Sequence, residues 1–78
     1  LEYSVDVLTE PERIRSADEL DVRRYGVIVE DGDKRGLLLP DLDGVEDVAE
    51  QLAIAKRKAG IAPDVSPVLY RFEVVRHH

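Results

Sequence analysis

The stretch RYGVIVEDGDKRGLLLPDLDG, Arg24 to Gly44, reads as a β-hairpin whose second strand stops at a proline. A two-residue Asp31-Gly32 loop would set Glu30 against Asp33, and like charges directly opposite destabilise a ladder. A turn centred one residue later, or a four-residue loop, sets Glu30 against Arg35 and Val27 against Leu38, and this register is the one expected. Both faces of the hairpin are then apolar. Val27, Val29 and Leu38 point one way, and Ile28, Leu37 and Leu39 the other. Gly36 within the second strand marks a bulge or a close backbone approach.

Working outward, YSVDV alternates as a strand, with Tyr3, Val5 and Val7 expected on its buried face. Pro11 is expected to end pairing there. Ser16, with Glu19 three residues on, signals one short capped helical turn. After Pro40, DGVEDVAEQLAIAKRKAG is a helix, with Asp43 and Glu46 as its N-terminal cap signal. Lys56, Arg57 and Lys58 fill its last turn, and Gly60 is its left-handed C-cap. Val45, Val48, Leu52, Ala55 and Ala59 form the apolar stripe, with Ile54 on the opposite, charged side. VLYRFEVV, Val68 to Val75, is a last strand with Val68, Tyr70, Phe72 and Val74 on one face and Arg71 and Glu73 on the other. The fold class is α+β, in the order β-β-β-α-β, an antiparallel or mixed sheet with one main helix.

Seventy-eight residues make a single small domain, 1–78, whose stability rests on a modest apolar core. The chain has no cysteine, so no disulfide or thiolate metal site staples it. A net charge of −6, from 17 acids and 11 bases, disfavours a general nucleic-acid binder. No apolar run approaches the roughly 20 residues of a membrane helix, and a cytoplasmic location without membrane contact is expected.

Chemistry is sparse. Ser4, Thr9, Ser16 and Ser66 are the hydroxyls available as nucleophiles, and the only imidazoles are His77 and His78 at an end expected to be unstructured. A base there is not held within reach of a nucleophile, so no catalytic residue, cofactor site or metal site is assigned. Asp41 to Gly44 lacks the third oxygen ligand of a calcium loop before its glycine, although Glu50 stands six residues after it, and a capping role for Asp43 explains the stretch more simply. The remaining candidate is a weak anion or partner patch made of Arg24, Lys34 and Arg35.

LEYSVDVL before a PE dipeptide, RYGVIV, RGLLLPDL, KAGI and the closing FEVVRH together resemble the C-terminal part of AMMECR-type domains, the AmmeMemoRadiSam system protein A family. The resemblance covers nearly the whole chain and implies that the final histidines are native. It implies one repeat of a duplicated three-strand, helix, strand unit, and hence a C-terminal fragment of a longer domain. The family's Leu-Arg-Gly-Cys-Ile-Gly segment does not occur here. On this reading the chain is a non-catalytic folding or partner-binding half of a protein linked to Memo-like and radical S-adenosylmethionine proteins. The alternative is an enzyme fragment lending substrate contacts to a site supplied by the missing N-terminal part. One helix covers one face of the sheet. The Leu8 to Tyr25 connection, anchored by Ile14 and Leu20, is expected across part of the second, with weak homodimerisation through the rest.

Overall fold

The computed structural model describes residues 5–77, and side chains over 7–75. Strands β1 (Val5–Leu8), β2 (Glu12–Ile14), β3 (Gly26–Asp31), β4 (Lys34–Leu38), β5 (Val68–Phe72) and β6 (Val74–His77) accompany one helix, α1 (Val48–Ala59), and a 3-10 turn at Ala17–Glu19. β2, β5, β3 and β4 form an antiparallel sheet in that order, and β1 pairs with β6 as a separate ribbon. The α+β class holds, with two more strands than the sequence reading supplies.

The extra strands arise at Pro11 and Glu73. β1 and β2 run along the same side of β5 and β6, with Leu8 opposite Val74 and Glu12 opposite Arg71. Thr9 N donates to Glu73 O at 2.8 Å between them. Glu10 and Pro11 therefore face Phe72 alone, which is one residue too many. Pro11 interrupts an edge strand as a bulge and does not end it, because an edge position needs no inward N–H there. Glu73 likewise breaks the last strand in two. β5 and β6 together make an arm of roughly 30 Å. That arm explains the 47 Å long axis and the radius of gyration of 13.0 Å, against about 11.5 Å for an equally long compact chain. The end expected to be unstructured carries β6, with His77 paired to Val5. Val7 is 47% exposed, which corrects its assignment to a buried face. Tyr3 and the side chain of Val5 lie outside the described residues.

The hairpin adopts the expected register, with Val27 opposite Leu38 and Glu30 opposite Arg35. Its loop is Gly32-Asp33, Gly32 has φ 62°, and Asp31 meets Lys34, so two opposite-charge pairs close it. Ser16 caps the 3-10 turn by accepting from Asp18 N at 3.2 Å, and Glu19 reaches back to Arg15 N at 2.8 Å.

Helix α1 starts later than expected. Asp47, not Asp43, is the N-cap, and its Oδ1 accepts from Glu50 N at 2.7 Å. Asp43 is spent in a turn, where Val45 N bonds Leu42 O and Gly44 takes φ 84°. Gly60 closes the helix at φ 75°, and Ile61 N bonds Lys56 O at 2.9 Å, as a left-handed cap requires. Asp47→Ala is expected to cost about 1 kcal/mol in urea unfolding, as cap losses do. Asp43→Ala should leave the midpoint in place, and the reverse pattern would return the cap to Asp43.

The core lies on one side of the sheet. Val27, Val29 and Leu38 pack with Ala55 of α1, and Ile14, Leu20 and Ile61 join the same cluster. Val48, Leu52 and Ala59 pack against it, and so does Ile54, which was expected on the charged side. Ile61 and Val65, beyond Gly60, widen the core past a single helical stripe. Leu69, paired with Val29, belongs to this face too.

Candidate functional site

Arg24, Lys34 and Arg35 are not brought together. Lys34 and Arg35 flank the hairpin tip, opposite Asp31 and Glu30. Arg24 precedes the other end of β3, roughly 15–20 Å away at the rise of a strand. Its guanidinium sits 5.1 Å over the Tyr25 ring, and its Nη2 lies 3.7 Å from Glu73 Oε1. The patch inferred from composition is thus two separate features, because the length of β3 intervenes.

The open surface is the face away from α1. Leu37 and Ile28 pair on it, Tyr70 lies opposite Ile28, and Phe72 lies opposite Gly26. Ile28 and Phe72 are buried there, but Leu37 is 36% and Leu39 45% exposed. Ile14 and Leu20, the expected cover for this face, are buried on the helix side instead. The Leu8 to Tyr25 connection therefore completes the first core through Ile14 and Leu20, and on the second face Leu37 and Leu39 stay exposed beside the buried Ile28 and Phe72. Bulging at Pro11 lets β2 continue alongside β5, and Ile14, opposite Leu69, then shares the helix-side face.

At one end of this face a groove of about 320 Å³ is lined by Leu8, Arg23, Arg24, Leu39, Pro40, Asp41 and Val74. Four segments build it. The ribbon supplies Leu8 and Val74 as a cross-strand pair. The chain leaving β4 supplies Leu39 to Asp41, and Asp41 takes the left-handed φ of 55°, which aspartate tolerates better than most residues. Asp41 N donates to Val22 O at 2.7 Å, locking this exit segment to the approach to β3. Arg23 Nη1 meets Asp41 Oδ1 at 3.2 Å across the rim, in the open, where such pairs contribute little. The floor is aliphatic and the rim is charged. Such a groove accepts apolar side chains, and its lining holds no hydroxyl, thiol or imidazole.

A second polar cluster sits on the helix side. Arg71, on the face of β5 opposite Tyr70 and Phe72 as alternation expects, lies 4.6 Å over Tyr25, donates Nη1 to Glu19 O at 2.8 Å and meets Glu12 Oε1 at 3.3 Å. Gln51, 1% exposed, donates Nε2 to Tyr25 O at 3.0 Å. Together they pin the Leu8 to Tyr25 connection to β5 and α1. This is architecture: the two Nη groups are engaged by backbone and carboxylate and the guanidinium lies over the ring, while Nε is buried without a hydrogen-bond partner.

Comparison with known proteins gives a consistent picture. A family model described as AMMECR1 matches residues 1–77. A Thermotoga maritima protein is 55% identical over 74 residues, covering 94% of this chain and 42% of the relative. Protein CA_C1420 of Clostridium acetobutylicum is 51% identical over 77 residues, covering 99% of this chain and 16% of its own length. The crystal structure of the uncharacterized protein PH0010 from Pyrococcus horikoshii superimposes with a TM-score of 0.82 at 36% identity, over 94% of this chain and 41% of that one. The chain thus spans less than half the length of these relatives.

Proposed function

This chain belongs to the AMMECR1 family, and from that premise we propose that it is a non-catalytic half whose helix-free face packs against polypeptide from the remainder of the domain. One observation carries the reading: Leu8, Leu37, Leu39 and Leu42 are each 36–46% exposed in a chain with little apolar surface to spare. Two of them, Leu8 and Leu39, line the groove, and exposed large apolar side chains beside a groove mark an interaction surface. The relatives' additional length supplies a natural occupant. Chemistry, where the full domain performs any, comes from outside this chain. Memo-like and radical S-adenosylmethionine proteins are then partners of the assembled domain, in the cytoplasm. The enzyme-fragment alternative draws less support, because Arg24 is separated from Lys34 and Arg35 by the length of β3 and leans on Glu73 and Tyr25.

Sedimentation velocity of the chain mixed with the part of the Thermotoga maritima relative lying outside the match tests this. A one-to-one complex is expected, and Leu39→Asp should weaken it by about tenfold or more, since a buried unpaired carboxylate costs more than 1.4 kcal/mol. Leu39 is half exposed, so the variant itself should fold normally. Failure of the two parts to associate, or association indifferent to Leu39→Asp, would refute the proposal.

A further inference from the structure

The ribbon offers more than an apolar surface. Thr9 N donates to Glu73 O at 2.8 Å, and Glu73 N donates to Thr9 Oγ1 at 2.7 Å. Thr9 and Glu73 therefore stand at a hydrogen-bonded position of the ladder, with the Thr9 hydroxyl in place of its carbonyl for the second bond, and an antiparallel ladder alternates such positions every second residue. Val75 and His77 accordingly bond to Val7 and Val5, and the N–H and C=O groups of Val74 and Arg76 point away from β1. On that side β5 has β3 as its neighbour, but the ladder ends at Gly26 opposite Phe72. The residues that would continue it are drawn off by a turn in which Arg24 N and Tyr25 N both bond Asp21 O. Among the described residues, the outer edge of β6 faces no strand.

The other sheet edges are treated differently. On β4, Leu37 O accepts from Lys58 Nζ at 3.0 Å, and just past β2, Arg15 N donates to Glu19 Oε2 at 2.8 Å. Side chains plugging an edge are a recognised defence against unwanted strand pairing. β6 carries no such plug among the described residues. Instead the groove of Leu8, Leu39 and Val74 lies beside it. A two-stranded ribbon alone is marginally stable in water, and a third strand with an apolar face is what stabilises one.

We propose that the outer edge of β6 is a strand-addition site, occupied by an extended segment with alternating apolar residues from the part of the domain outside this chain. Its backbone would pair with Val74 and Arg76, and its inward side chains would fill the groove against Leu8, Leu39 and Val74. The proposal rests on the docking face argued above and adds the mode of docking. Backbone pairing is the specific claim, since the unsatisfied groups at this edge are one donor and one acceptor on every second residue. The exposed Arg24–Glu73 contact at 3.7 Å is a weak rim and does not obstruct entry.

Overlapping peptides spanning the unmatched part of the Thermotoga maritima relative serve as probes, with amide hydrogen exchange of the labelled chain as readout. One apolar-alternating peptide is expected to slow exchange at Val74 and Arg76. N-methylating the peptide amides on its β6-facing edge should weaken binding by about tenfold, the loss of one or two net backbone hydrogen bonds, whereas methylating the other set should not. Binding at the groove that is indifferent to either set overturns strand addition and leaves the docking face intact. Protection of Val74 and Arg76 that rises with the concentration of the chain alone assigns the edge to a second copy and overturns the occupant. No binding by any peptide overturns the proposal outright.

Discussion

Phe72→Ala is expected to leave the chain largely unfolded in buffer. Phe72 is 2% exposed and is the largest of the fully buried side chains. Its ring lies so close over Gly26 that a Cβ there would sit 2.2 Å from Cζ. Truncating a buried phenylalanine costs about 3–5 kcal/mol. A cysteine-free domain of this size has only a few kcal/mol in total. Urea titration followed by circular dichroism should show no cooperative transition for the variant. A midpoint close to the parent's would mean that the ring is not part of what holds β5 to β3.

Gly36→Val is expected to lift α1 from the sheet. A Cβ at Gly36 would meet Ala55 O at 2.5 Å, Ala59 Cβ at 2.9 Å and Ala59 N at 3.1 Å. Two of these are backbone atoms of the helix, and they cannot swing aside as a side-chain tip does. Gly36→Ala should therefore lose about 1–3 kcal/mol through overpacking, and the valine, with two more methyl groups, should lose more. An alanine variant as stable as the parent in the same titration would show that the helix does not approach β4 this closely.

Much of this was legible in the sequence where the controlling chemistry is local. The hairpin register follows from Glu30, Asp31, Lys34 and Arg35, since only one pairing sets opposite charges face to face. Gly60 marks the helix end because little else takes a left-handed cap so easily. The helix start was ambiguous because Asp43-Glu46 and Asp47-Glu50 repeat one spacing, and only the turn at Leu42 to Val45 decides between them. β2 was hidden by Pro11, which reads as a strand end yet sits in a bulge of an edge strand. Alternation placed Tyr70 and Phe72 on one face and Arg71 on the other correctly, but it carries no information on which face a helix will cover. Ile14 and Leu20 were recognisable as anchors for the same reason that their side of the sheet was not. The groove was out of reach, since Leu8, Arg23, Leu39 and Val74 come from distant segments and meet only through the bulge and the Asp41 turn.

The central claim is that the helix-free face, not the helix, is where other polypeptide binds. Methyl-labelled leucine, valine and alanine in this chain, titrated with the unmatched part of the Thermotoga maritima relative, would report on both surfaces at once. Leu8, Leu37, Leu39 and Val74 should shift together and saturate at one equivalent, while Ala49 and Ala53 on the outer surface of α1 stay in place. Shifts confined to Ala49 and Ala53, with the leucines of the open face unmoved, would contradict it.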